Sequence, residues 1–185
     1  MSEFGAALVQ AGLVQFGWYA PDDAPYRFHL QMLPSYPDIL RLFVDAGAAA
    51  ARGADRLLAA ADSVPFGVAL SLATGVPLVY SQGAAAAAVH DLIGAYDIGH
   101  PALLVTNHLD NWDSAAALAA EARQVGLAVH SVLALAIGRP PPAVDGLQVI
   151  GLVHLDDLVR RLAEQGELPA QHARAVLDWL QTHDE

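Results

Sequence analysis

Ala102-Leu103-Leu104-Val105-Thr106-Asn107-His108-Leu109-Asp110-Asn111-Trp112-Asp113-Ser114 reads as a buried strand, a polar turn and the opening of a helix. The apolar run 102–105 predicts the strand, and Ser114 stands where an alanine-rich helix begins, to be stopped by Gly126. A parallel α/β sheet places its ligands at such a junction, beyond the carboxyl end of a strand. A phosphate cradle there wants glycines, free N–H groups and no competing negative charge. Trp112 instead occupies space that small residues would leave open, and Asp110 and Asp113 flank it. The layout suits a phosphate and the chemistry opposes one.

Outward from this stretch, strands alternate with helical segments. Residues 5–14 read as a short helix, with Leu8, Val9, Leu13 and Val14 apolar. Residues 16–33 are aromatic-rich and β-like or irregular, broken by Pro21 and Pro25. Ser35 is the expected cap of a helix over 37–52, in which Ile39, Leu42, Phe43 and Ala46 share a face. A strand is expected over 55–61, a helix from Ser63 ending at Gly75, and a strand over 76–80. Further strands are expected over 127–137 and 149–153, with helices opening at Leu155 and at Leu168-Pro169. This alternation predicts an α/β fold, a doubly wound parallel sheet of four or five strands flanked by helices. One domain is expected over 1–185, with an N-terminal helix and cap region in 1–34 and the α/β core and C-terminal helices in 35–185.

With 185 residues, 55% hydrophobic and 16% charged, the chain suits a single packed core. Every apolar run is interrupted before the roughly 18–20 residues of a membrane span. The opening MSEFGAALVQ has no basic region of a secretory leader, so a cytoplasmic protein is expected. The net charge of −11 argues against nucleic acid and anionic membranes as partners. There is no cysteine, and all nine basic residues are arginine. The absence of lysine excludes Schiff-base chemistry, lysine general bases and a phosphate-loop lysine.

The order of segments resembles the orotate phosphoribosyltransferases, which have the type I phosphoribosyltransferase fold, over nearly the whole chain. The resemblance rests on Leu8-Val9-Gln10-Ala11-Gly12-Leu13-Val14-Gln15-Phe16-Gly17, on Pro34-Ser35-Tyr36-Pro37, and above all on Val64-Pro65-Phe66-Gly67-Val68-Ala69-Leu70-Ser71-Leu72-Ala73-Thr74-Gly75-Val76-Pro77-Leu78-Val79-Tyr80. Leu155-Asp156-Asp157-Leu158 and Ala175-Val176-Leu177-Asp178-Trp179-Leu180 also fit. It implies a small N-terminal cap, a homodimer and a donor site at the 102–114 junction.

The motifs that would carry the family's reaction are changed. The resemblance equates Thr106 and Asn107 with two adjacent acids that engage the donor's ribose. Asp110, Asn111, Trp112 and Asp113 fall on the 5′-phosphate cradle, where only Ser114 is retained. Ala60-Ala61-Asp62-Ser63 falls on a Gly-rich diphosphate turn, and 81–88, with the run Ala84 to Ala88, on a lysine-rich catalytic loop. Ala20-Pro21-Asp22-Asp23 falls on a lysine-bearing turn near the orotate site, and Arg27 on an aromatic position. Two unit charges about 4 Å apart at an effective dielectric near 20 interact by about 4 kcal/mol, so acids in these places reverse the field an anionic donor needs.

The candidate ligand pocket is therefore the degenerate donor loop, Thr106, Asn107, Asp110, Asn111, Trp112, Asp113 and Ser114, with a secondary pocket at Arg27, Phe28, Asp62 and Ser63. No catalytic residue is expected. Trp112 is read as a plug for the vacated phosphate site, a contact for a partner chain or a stacking platform for a planar ligand. Arg27, with Tyr26 and Phe28, is read as a surface ion pair with Asp22 or Asp23, or as a fork for a small carboxylate. His108, Asp110 and Asp113 with His100 or His130 could form a metal site, but their spacing fits a polar strand-end loop as well. The expected function is a phosphoribosyltransferase-fold protein without catalysis, serving as a ligand-binding or partner subunit. The low-charge run 83–89 is the expected contact of a homodimer. The alternative is a divergent orotate phosphoribosyltransferase of pyrimidine nucleotide biosynthesis, active only with a partner chain or on a different substrate. Mg²⁺ is expected only in that case, and otherwise no cofactor.

Overall fold

The computed structural model describes residues 3–17, 24–83, 91–109, 112–139 and 146–182. The chain opens with helix α1 (Glu3–Gln10) and two short strands, β1 (Val14–Phe16) and β2 (Tyr26–Phe28), paired antiparallel. Helix α1 is shorter than the expected 5–14. Gly12 takes φ 67°, with its N–H bonded to Val9 O and that of Leu13 to Leu8 O. This glycine-closed C-cap turns Leu13 and Val14 into the core, where they are at most 4% exposed, instead of onto a further helical turn.

A 3₁₀ turn (Leu30–Ser35) leads into α2 (Pro37–Ala50). The expected cap Ser35 belongs to that turn. Tyr36 holds the cap position without a side-chain bond, and Pro37, preset for the first helical turn, starts the helix. Strand β3 (Arg56–Ala59), the 3₁₀ turn Ala61–Ser63, helix α3 (Val64–Thr74) and strand β4 (Leu78–Ser81) follow. The expected helix and strand boundaries here hold to within two residues. Gly67 seats α3 closely on the sheet, since a Cβ there would lie 3.0 Å from Ala59 Cβ and 3.1 Å from Leu78 Cδ1.

The remaining elements are β5 (Leu92–Ile93), β6 (Pro101–Leu109), α4 (Trp112–Gln124), β7 (Ala128–Ile137), β8 (Gln148–His154), α5 (Leu155–Glu164) and α6 (Ala170–Thr182). Six strands form one sheet in the order β5-β4-β3-β6-β7-β8, parallel except for the β4–β5 pair. The sixth strand, β5, has two residues and so shows no alternation in the sequence. The run Ala84 to Ala88 lies outside the described residues, as do Asp22 and Asp23.

Alternation along each strand feeds two cores. Leu57, Leu103, Val105, Leu133 and Leu135 join the apolar cluster containing α1, α2, α3, α5 and α6. Leu58, Ala102, Leu104, Val132 and Ala134 pack with Ala115, Leu118, Ala119 and Ala122 of α4. The parallel strands are thus covered on both faces, as their near-continuous apolar runs require. Helix α3 is apolar all round, and its outer side leaves Val68 and Leu72 44% and 83% exposed. Among the described residues no helix is long and apolar enough to cross a membrane.

Candidate functional site

The chain steps outward from β3 to β4 in one direction and from β6 to β8 in the other. The reversal leaves a crevice between the carboxyl ends of β3 and β6, where Ala59 pairs with Val105. A cleft of about 240 Å³ opens there. Asp62, Thr106, His108 and Ser114 form its polar rim. Leu104, Leu109 and Leu118 are the apolar walls.

The stretch beyond Val105 differs from the expected polar turn. Strand β6 continues to Leu109, because Thr106, His108 and Leu109 keep their pairing with Ala134, Ala136 and Ile137 of the long apolar β7. Only residues 110 and 111 separate β6 from α4, which begins at Trp112 and not at Ser114. Asp110 and Asn111 lie outside the described residues. Trp112 packs part-buried against the α4 core, and its buried Nε1 has no hydrogen-bond partner among the described residues. Asp113 is the acid of the first helical turn, exposed, and Ser114 is exposed at the cleft.

Side-chain bonds join the two strand ends. Asn107, 3% exposed, donates from Nδ2 to the backbone oxygen of Asp62 at 2.6 Å. The fully buried Ser63 hydroxyl lies 2.8 Å from Val105 O and 2.9 Å from Ala60 O, so its single proton serves the backbone. Ala60 N donates to Val105 O, and Thr106 Oγ1 reaches His108 O at 3.4 Å. The Ser63 hydroxyl, the Asn107 amide and the Ala60 N–H are thus turned to the backbone. The Asp62 side chain is exposed at the rim.

The residues of the expected secondary pocket are distributed differently. Strand alternation turns Arg27 to solvent and Phe28 inward. The Phe28 ring lies 6.1 Å from that of His108 and 5.7 Å from Tyr26, and Tyr26 meets Trp179 edge-on at 5.6 Å. The Arg139 guanidinium stacks 4.5 Å above Trp179. This ladder was missed in the sequence because its members come from three elements and the segment after β7. Arg139, two residues past the end of a buried strand, carried the one available signal.

The metal grouping of His108 with His100 or His130 is not formed. His100 precedes β6 and accepts the N–H of Ala128 at the amino edge of the sheet, with His130 near it on β7, whereas His108 is at the carboxyl edge. Among the described residues no cluster of three or more His, Asp or Glu could hold a metal. Asp62 is the one carboxylate lining the cleft among the described residues.

Behind α4 lies a second polar group that the sequence reading did not single out. Asp91, 7% exposed, accepts the Ser81 hydroxyl and the Gly83 N–H. Glu121 is 6% exposed, and its Oε1 has no hydrogen-bond partner among the described residues. Burial, then the negative charge of Asp91, raises the Glu121 pKa above its usual 4.5.

A sheet with this order, its crevice at the reversal and its aromatic cap, is the type I phosphoribosyltransferase fold. Among solved structures, the chain superposes on the Leishmania donovani UMP synthase with TM-score 0.83 at 23% identity, covering 97% of this chain and 42% of that one. It superposes on orotate phosphoribosyltransferase from Aeropyrum pernix with TM-score 0.68 at 20% identity, over 86% and 99% of the two chains. For the Francisella tularensis orotate phosphoribosyltransferase the values are 0.71, 14%, and 96% and 97%. No family profile and no curated protein sequence matches the chain.

Proposed function

We propose that this chain is a phosphoribosyltransferase-fold protein that does not catalyse the transfer and acts as a ligand-binding or partner subunit. The observation that carries this reading is Asn107. It stands where the resemblance expects a ribose-engaging acid, and its amide is buried and bound to Asp62 O at 2.6 Å. A group committed to joining two strand ends is not available to a sugar hydroxyl. Asp62 and Asp113 add negative charge where the donor's phosphates would lie, and no lysine exists to stabilise departing diphosphate. Calorimetry with Mg²⁺ and phosphoribosyl diphosphate tests this, with no heat of binding expected up to millimolar donor. Sub-millimolar binding, or steady consumption of orotate, overturns it.

The partner in this reading is a second copy, packed on the exposed Val68 and Leu72 of α3. Residues 63–83 carry no charge, so copies of a chain with net charge −11 meet there without repulsion between carboxylates. Light scattering at micromolar concentration should give twice 19.4 kDa. Leu72→Glu should return it to the single mass with an unchanged circular dichroism spectrum.

A second reading, a divergent orotate phosphoribosyltransferase working with a different chain or substrate, draws on the 0.83 superposition on a protein named UMP synthase, of which this chain spans 42%. Orotate consumption on mixing with such a partner would favour it.

A further inference from the structure

We infer that the cleft between β3 and β6 binds a small, flat, cationic molecule, one with an apolar ring and an amidinium or ammonium group, with Asp62 as its counter-ion. This rests on the non-catalytic reading above and names the ligand class for the same site.

The polar groups that remain available at the crevice decide the sign of its ligand. A site for an anion must present donors, and the buried donors between the strand ends are already engaged. At the rim the Thr106 and Ser114 hydroxyls and the His108 ring can each donate or accept and so select neither sign. The Ser63 hydroxyl serves Ala60 O and Val105 O, the Asn107 amide serves Asp62 O, and Ala60 N–H serves Val105 O. The exposed carboxylate of Asp62 remains at the rim, and none of the nine arginines lines the cleft. A ligand that supplies its own hydrogens and a positive charge matches that inventory, and an amidinium can meet a carboxylate through two parallel bonds. Leu104, Leu109 and Leu118 form apolar walls suited to a flat ring, and about 240 Å³ admits one ring system with its substituent.

One feature of the cleft favours an anion. The first-turn amides of α4 carry the positive end of a 13-residue helix. Asp113, the acid of that same turn, offsets them. The sign of the bound ligand therefore reports which side prevails, and the chain as a whole, at −11, adds to the negative side.

Three ring compounds of one size separate the possibilities: benzamidine as cation, benzyl alcohol as neutral and benzoate as anion. Each is titrated into the full chain and followed by calorimetry, with phosphoribosyl diphosphate and Mg²⁺ as a separate titration. Benzamidine is expected to bind about tenfold more tightly than benzoate, a ratio reduced from the ideal pair by the exposure of Asp62. Asp62→Asn should erase that preference and Asp62→Lys should invert it. Asp62 is exposed, so neither change threatens the fold, which circular dichroism verifies. Benzoate binding as tightly as benzamidine, no binding of any ring compound, or a preference that survives Asp62→Lys would each overturn the inference while leaving the non-catalytic reading in place. Sub-millimolar binding of phosphoribosyl diphosphate would instead overturn that reading.

Discussion

The two strand ends that border the crevice are built in opposite ways. Beyond β3 the backbone leaves the sheet at once, and the turn Ala61–Ser63 is held by side chains. The Ser63 hydroxyl and the Asn107 amide bind backbone oxygens, and Gly67 seats the following helix on Ala59. Beyond the paired Val105, β6 stays in the sheet for four more residues and is held by its backbone ladder to β7. One border therefore depends on particular side chains and the other largely does not. Polar residues at a ligand-binding position can be spent on architecture, and which of them are spent is decided by whether the backbone there is already paired.

This asymmetry can be broken by mutation. The largest expected effect is at the β3 border: Gly67→Val drives two methyl groups toward Ala59 and Leu78 and should cost about 3 kcal/mol in urea unfolding. Asn107→Ala comes next, leaving Asp62 O without its donor, with a loss of about 2 kcal/mol. Thr106→Val, on the ladder-held border, should shift stability by less than about 0.5 kcal/mol, since its hydroxyl makes only a 3.4 Å contact. A loss at Thr106 as large as that at Asn107 would erase the distinction between the borders.

A subtler test lies behind α4. Because the folded protein holds the Glu121 proton to higher pH than the unfolded chain does, stability falls as pH climbs from 4.5 through the raised value, and stays lower above it. Glu121→Gln removes that loss. Its urea midpoint should exceed the parent's at pH 8 and match it at pH 4. An equal shift at both pH values would assign the effect to packing instead of charge.

The sheet was legible in the sequence because its strands are buried on both faces and so appear as apolar runs between helical patterns. Thr106 and Ser114 of the one expected pocket and Asp62 of the other line a single cleft, which the sequence had divided in two. Sequence reading failed where a distant neighbour decides the outcome. Thr106-Asn107-His108 looks like a polar turn until β7 supplies ladder partners out to Ile137. Glu121 in an alanine-rich helix looks like a surface residue, yet packing against the sheet buries it. Tyr26 and Phe28 alternate on one short strand, but no local pattern links them to His108, Trp179 and Arg139.

That aromatic ladder also bears on how the chain is made. Tyr26 emerges from the ribosome long before Trp179, the ring that covers it in the finished fold at 5.6 Å. At about 5–20 residues per second the interval between them is roughly eight to thirty seconds. During that time the aromatic side of the β1–β2 ribbon waits without its cover, while the central strands are still being translated. The N-terminal cap is therefore synthesised early and completed late, and the nascent chain offers a holdase chaperone a sticky aromatic segment that the mature protein hides.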